Sequence, residues 1–193
     1  MKDSEIRGAL KQRLRARYSG GPHTLILDEL GLKHGKARVD LIVVNGLIHG
    51  FEIKSDRDRL TRLPNQAAIY SSILDRVTLV SAPCHIRKAT EMVPEWWGVE
   101  LVEKKDEVSL EFSTVRSACD NPMPSVLAIA KLLWRDEALA LLEQIGGANG
   151  LYSKPRAAIY ARLAEMADLD LIRARVRHQL KCRTDWRVGE SQT

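Results

Sequence analysis

Residues 38–55, RVDLIVVNGLIHGFEIKS, read as two short apolar strands folded back on each other. Leu41, Ile42, Val43 and Val44 are strand formers, and Asn45-Gly46 is a strong hairpin-turn signal. A buried hairpin should carry no charge, yet this one carries Asp40 at the start of its first strand and Glu52 and Lys54 on its second. Two residues apart, Glu52 and Lys54 leave the same face of the pleat. With a two-residue loop Asp40 would pair with Phe51 and point away from Glu52. Adding about one residue to the loop, with Gly46 in the left-handed region, sets Asp40 across from Glu52, and this second register is the one predicted. Two carboxylates that close resist joint ionisation unless a cation lies between them, and oxygen ligands suit a hard divalent ion such as magnesium.

Working outward, Asp3 to Tyr18 has Ile6, Leu10 and Leu14 at helical spacing among arginines and lysines, with Glu5 one step from the apolar stripe. Ser19-Gly20-Gly21-Pro22 breaks that helix, and Thr24 to Leu30 follows as a strand ending in Asp28-Glu29, where Glu29 is a further candidate acid. After the hairpin, a charged connection leads to a helix from about Leu60 to Leu74. Pro64 fits only its first turn, and Gln66 and Tyr70 share one face. Arg76 to Ser81 is a strand covered on both sides, and His85 to Met92 is a short helix. Val99 to Val102 and Val108 to Phe112 form a last strand pair. The pair Trp96-Trp97 reads as a core plug ahead of it, in preference to a base-stacking platform.

Asp120-Asn121-Pro122-Met123-Pro124 marks a boundary, giving an α/β domain over 1–118 and a helical module over 119–193. In that module Ser125 to Ile145 has apolar residues at helical spacing, Ser153-Lys154-Pro155 starts a second helix, and Asp168 caps a third. Arg173, Arg175, Arg177, Lys181, Arg183 and Arg187 make its end basic, a solvated face or a phosphate-binding surface. The whole chain of 193 residues has net charge +5 and a pI near 9.2, which suits a polyanionic partner without requiring one. Three cysteines without a CxxC pair argue against a structural zinc site. No apolar leader or run of about 18 apolar residues is present, so a cytoplasmic protein without a membrane segment is expected.

A helix bearing an acid, then Asp40, then Glu52-Ile53-Lys54, then a helix carrying Gln66-Ala67-Ala68-Ile69-Tyr70 resembles the PD-(D/E)XK nuclease superfamily, including the QxxxY motif of RecB-type nuclease domains. The likeness covers roughly Asp3 to Ser81, and Val39 stands where the superfamily's name has a proline. It implies a restriction-endonuclease-like α/β core: helix, three-stranded meander, helix and strand in a mixed sheet, extended here by C-terminal helices. It also implies a magnesium- or manganese-dependent deoxyribonuclease, cytoplasmic in setting, acting in repair, recombination, phage or defence contexts; homodimerisation would allow cuts in both strands, though no segment marks an interface.

On that resemblance Asp40, Glu52 and Lys54 would be catalytic. Asp40, Glu52, the carbonyl of Ile53 and Glu5 would hold the metal, while Gln66, Tyr70 and Arg62 would contact the substrate. Lys54 would orient the attacking water. A non-cutting DNA-binding or scaffold protein on the same fold is the alternative, and an enzyme for a small phosphorylated substrate would need an enclosed pocket in place of an open groove. There is no glycine-rich phosphate loop and no HExxH motif.

Overall fold

The computed structural model describes residues 1–19, 23–33, 35–106 and 109–183. Predicted features at Gly20–Pro22, at Val108 and at Arg187 lie outside them. The chain divides into two units, one ending at Met123 and the other starting at Pro124.

The first unit opens with helix α1, Asp3–Arg17. Strands β1 (Leu25–Leu32), β2 (Ala37–Val44) and β3 (Ile48–Lys54) follow as an antiparallel meander. A 3-10 turn over Leu60–Arg62 leads into α2, Leu63–Ser71, with Pro64 in its opening turn, where the missing N–H costs nothing. Strand β4, Arg76–Ser81, lies parallel to β3; after α3, Ile86–Glu91, comes β5, Gly98–Lys104, parallel to β4. The last strand, β6, Leu110–Arg116, pairs antiparallel with β5. The result is a six-stranded mixed sheet in the order β1-β2-β3-β4-β5-β6.

The apolar stripe of α1, Ile6, Leu10 and Leu14, is buried on Leu41 and Val43 of β2, Phe51 and Ile53 of β3, Val80 of β4 and Val102 of β5. These strand residues alternate with Ile42, Glu52 and Lys54, as a period of two requires. On β3 the result is one face packed under the helix and one polar face carrying Glu52 and Lys54. Trp97 is fully buried and stacks on Tyr70 at 5.9 Å between ring centroids, so it serves as core, while Trp96 is half-buried and meets its edge.

Gly98 opens β5 where no side chain fits. A Cβ there would lie 2.9 Å from the backbone nitrogen and Cβ of Ala118 and from Thr78 Oγ1. Because one of these is backbone, Gly98→Ala is expected to destabilise the chain by about 1–3 kcal/mol in urea unfolding. A loss within the error of wild type would show that the strand gives way freely.

The second unit is helical: α4 (Val126–Ala130), α5 (Arg135–Gln144), α6 (Arg156–Met166) and α7 (Leu169–Cys182). Asp168 caps α7, its carboxylate accepting the Leu171 N–H at 2.7 Å. The apolar spacing over Ser125–Ile145 resolves into two helices. Trp134 adopts extended backbone and caps α5, with its N–H donating to Glu137 at 2.7 Å. No helix among the described residues is long and apolar enough to cross a membrane.

Candidate functional site

The hairpin register follows from its loop. Gly46 takes φ of 111°, the Asn45 N–H bonds the Leu47 carbonyl, and Val44 pairs with Ile48. Pairing runs back through Leu41 opposite Phe51, so continuing it sets Asp40 opposite Glu52. The ladder does not continue through Asp40 in the ordinary way. Its side chain replaces a backbone acceptor, with Oδ2 taking the Ile53 N–H at 2.8 Å. Strand pairing is thereby extended by a carboxylate, which satisfies a donor that would otherwise be orphaned.

Glu52 and Lys54 are buried, at 1% and 3% exposure, and form an ion pair at 2.5 Å. Helix α2 completes the arrangement. Gln66 donates from Nε2 to Glu52 Oε1 at 2.7 Å and accepts from Lys54 Nζ at 3.1 Å. Tyr70 Oη stands 2.7 Å from Glu52 Oε2 and 2.6 Å from the Arg38 carbonyl; its single proton serves one of them at a time. Burial and the charge of Glu52 push the Tyr70 phenol well above its usual range. Gln66 and Tyr70 are thus brought to the carboxylate by their spacing of four on α2.

Asp40 has a different neighbourhood. Arg7 of α1 donates to its Oδ1 at 2.9 Å and to its carbonyl at 3.3 Å, and also reaches Asp3 Oδ1 at 3.0 Å and Glu29 Oε1 at 3.3 Å. Burial first, then the charge of Glu52, raise the Asp40 carboxyl to about 7, against the lowering effects of the Ile53 N–H and Arg7. Glu29 sits at φ of 57°, a left-handed conformation that a non-glycine residue adopts at a cost of roughly 1 kcal/mol or more. Its carboxylate bridges Arg7 and Arg38.

Two expected contributors lie elsewhere. Glu5 accepts the Lys2 N–H at 2.6 Å as part of the α1 cap, which lowers its pKa, and it does not join the carboxylates. Arg62 is exposed in the turn before α2. The acid of α1 that does reach this region is Asp3, through Arg7. Nothing in the sequence distinguished Arg7 from the other basic residues of that helix; its spacing of four from Asp3 was the only trace.

Among the described residues no group of three or more His, Cys, Asp or Glu could hold a metal ion. The available donors are therefore the two carboxylates and the backbone. Magnesium takes one or two carboxylates with water and phosphate completing its shell, and here each carboxylate oxygen already faces a protein donor: Arg7 and the Ile53 N–H on Asp40, and Lys54, Gln66 and Tyr70 on Glu52. An open cleft of about 430 Å³ lies nearby, lined by Asp3, Ser4, Arg7, Gly8, Lys11, Asp28 and Glu29. Its lining mixes both charge signs and contains neither Glu52 nor Lys54.

His49 faces away from Glu52. It stacks on Phe51 at 4.3 Å and shares a hydrogen bond of 2.8 Å with Thr78. Burial, then the charges of Arg76 and Arg17, lower its pKa to about 4, leaving it neutral near pH 7.

A family model described as Bacteriophage P4 protein cII matches residues 1–187. Protein cII of Enterobacteria phage P4 is 30% identical over 121 residues, which are 63% of this chain and 46% of that protein. The chain thus spans about half the length of that relative. No solved structure matches. The family match overturns the assignment to the PD-(D/E)XK nuclease superfamily, and with it the nuclease function that the assignment implied. The physical reason the pattern misled is visible in the site: Asp40 mends a strand ladder, and Glu52, Lys54, Gln66 and Tyr70 satisfy one another.

Proposed function

We propose that this chain, which belongs to the bacteriophage P4 protein cII family, acts by binding nucleic acid, in the first instance DNA, and that Asp40 and Glu52 would hold a magnesium or manganese ion as a bridge to phosphate. The reading is one of binding and includes no cleavage step. The observation that carries it is the placement of Asp40 opposite Glu52 across the hairpin, beside a buried lysine. The ion, when bound, supplies a concentrated positive charge for a phosphate oxygen.

The chain's own residues set the terms of that contact. Asp40 and Glu52 would be the charged ligands, with the Ile53 carbonyl as a neutral one. Arg7 already offsets part of the charge on Asp40 and Lys54 that on Glu52, so an ion would have to displace both cations from the carboxylates. Gln66 and Tyr70 hold Glu52 in one orientation. The overall charge of +5 supports attraction to a polyanion, which weakens with added salt.

The order helix, three antiparallel strands, helix and parallel strand supports a restriction-endonuclease-like topology for the core, carried here without the nuclease assignment. A cytoplasmic setting belongs to the same proposal. It is supported by Cys84, Cys119 and Cys182, which are exposed and free, as a reducing compartment keeps them.

Fluorescence anisotropy with a labelled DNA duplex and its separate strands, in magnesium and in chelator, tests the reading. Binding is expected to strengthen with magnesium, and Asp40→Asn should remove the magnesium increment while leaving the salt-sensitive background. Equal binding in magnesium and chelator, together with no calorimetric heat for magnesium or manganese, would sink the ion bridge. No binding to any strand would sink the whole proposal.

A further inference from the structure

The helical unit holds two large aromatic side chains in water. Trp134 is 39% exposed and Tyr152 is 59% exposed, although the same unit buries Tyr160, Leu133 and Leu142. Their segments meet, because Arg135, which follows Trp134, donates a hydrogen bond to the Tyr152 carbonyl.

Trp134 is also fixed in place. The Arg183 guanidinium lies 4.4 Å from the centroid of its ring. Arg183 is itself pinned by the Glu137 carboxylate at 3.0 Å from Nε and by the Leu132 carbonyl at 2.8 Å, with only 7% of its side chain exposed. A ring held this way loses little freedom when something flat stacks on it.

Basic residues flank the two rings in the sequence. Lys131, Lys154 and Arg156 are exposed, and Arg135 is partly so. Tyr160 donates its hydroxyl to the Leu133 carbonyl beside Trp134. The acids here are Asp136, Glu137 and Glu143. Glu137 is neutralised by Arg183, and Asp136 meets Arg135 at 3.5 Å.

We infer that Trp134 and Tyr152 form a stacking platform for unpaired bases, with Lys131, Arg135, Lys154 and Arg156 following the phosphates: a binding surface for single-stranded nucleic acid. Exposed π faces among cations are the means by which proteins hold single strands, and a duplex, whose bases are already stacked, offers those rings nothing. The inference rests on the reading that the chain binds nucleic acid, and it names the form of nucleic acid and the residues that receive it.

The test uses the full chain and three labelled probes of equal length in anisotropy titrations: a thymidine 15-mer, a duplex, and an abasic deoxyribose-phosphate strand. The single strand should bind more tightly than either other probe. Trp134→Ala and Tyr152→Ala should each weaken it about tenfold or more. Trp134→Phe should retain most of the affinity, since a π face remains. Circular dichroism checks folding, and Tyr152→Ala keeps the inference exposed to refutation should Trp134→Ala fail to fold, because that ring lies mostly in solvent. Wild-type affinity in Tyr152→Ala, or an abasic strand bound as tightly as the thymidine strand, would overturn the platform. Tight binding to duplex alone would overturn it too, while leaving the nucleic-acid reading in place; binding to none of the probes would end both.

Discussion

Lys54→Met will lower the stability of this chain by about 3–5 kcal/mol in urea unfolding at pH 7. The magnitude follows from what is left behind. Glu52 is 1% exposed, and the Lys54 ammonium, at 2.5 Å, is the positive charge beside it. Gln66 and Tyr70 would go on donating to the carboxylate, yet neutral donors offset only part of the cost of an ion held away from water. Removing both charges should therefore hurt less than removing one. The double variant Lys54→Met with Glu52→Gln is expected to recover most of the loss, because the amide introduced in place of the carboxylate can still meet Gln66 and Tyr70 without carrying charge. A double variant as unstable as the sum of the two single ones would show that the pair does not act as a unit, and a Lys54→Met loss below about 1 kcal/mol would show that water reaches Glu52.

That pair illustrates how much of the site was legible in the order of residues. Asn45-Gly46 placed the turn and the alternation of β3 put Glu52 and Lys54 on one face, since both are local properties; setting Asp40 opposite Glu52 took one loop residue more than that dipeptide, and Leu47 supplies it. The spacing of Gln66 and Tyr70 on α2 was equally local. The role of Asp40 as a substitute acceptor in the ladder was not, because it depends on where pairing stops. Arg7 joins Asp40 across 33 residues of sequence, and no periodic signal reports a contact of that kind. Glu5 was misplaced because helical spacing cannot tell a cap acceptor from a side chain aimed at the sheet.

The helix expected over Ser125–Ile145 breaks between α4 and α5, where Trp134 turns to extended backbone as a cap. Tryptophan is an unusual residue in that position, which is why the apolar spacing hid the break. The nuclease resemblance failed for a related reason. Acids, a lysine, a glutamine and a tyrosine at those intervals also make a self-satisfied polar network, and a residue pattern alone does not distinguish the two.

Between pH 4.5 and 6.5 the unfolding free energy of the unmodified chain should change little on account of Asp40 and His49, because the two titrate in opposition. Asp40 has its carboxyl raised from 3.8 to about 7, so over that interval the folded chain holds a proton that the unfolded chain releases. Its contribution is fully present at low pH and is lost as pH rises toward 7. His49 is lowered from 6.5 to about 4, so the unfolded chain holds the extra proton and stability is lost as pH falls. The two slopes are each about 1.4 kcal/mol per pH unit and opposite in sign. Arg7, Asp3 and Glu52 bear on Asp40, and Arg76 and Arg17 on His49, so neither titration is isolated from charge. Single replacements separate them. Asp40→Asn keeps an acceptor for the Ile53 N–H but cannot ionise, and leaves His49 unopposed: relative to wild type, stability should rise by about 1.4 kcal/mol per unit from pH 4.5 to 6.5. His49→Gln keeps a partner for Thr78 and should give the mirror image, a relative fall of similar slope. Urea unfolding of the three proteins at pH 4.5, 5.5 and 6.5 reads both differences directly, since every other group forms a common background. An Asp40→Asn profile parallel to wild type would mean that Asp40 stays ionised when folded, held so by Arg7 and the Ile53 N–H against burial and the charge of Glu52, and a parallel His49→Gln profile would mean that burial does not lower His49.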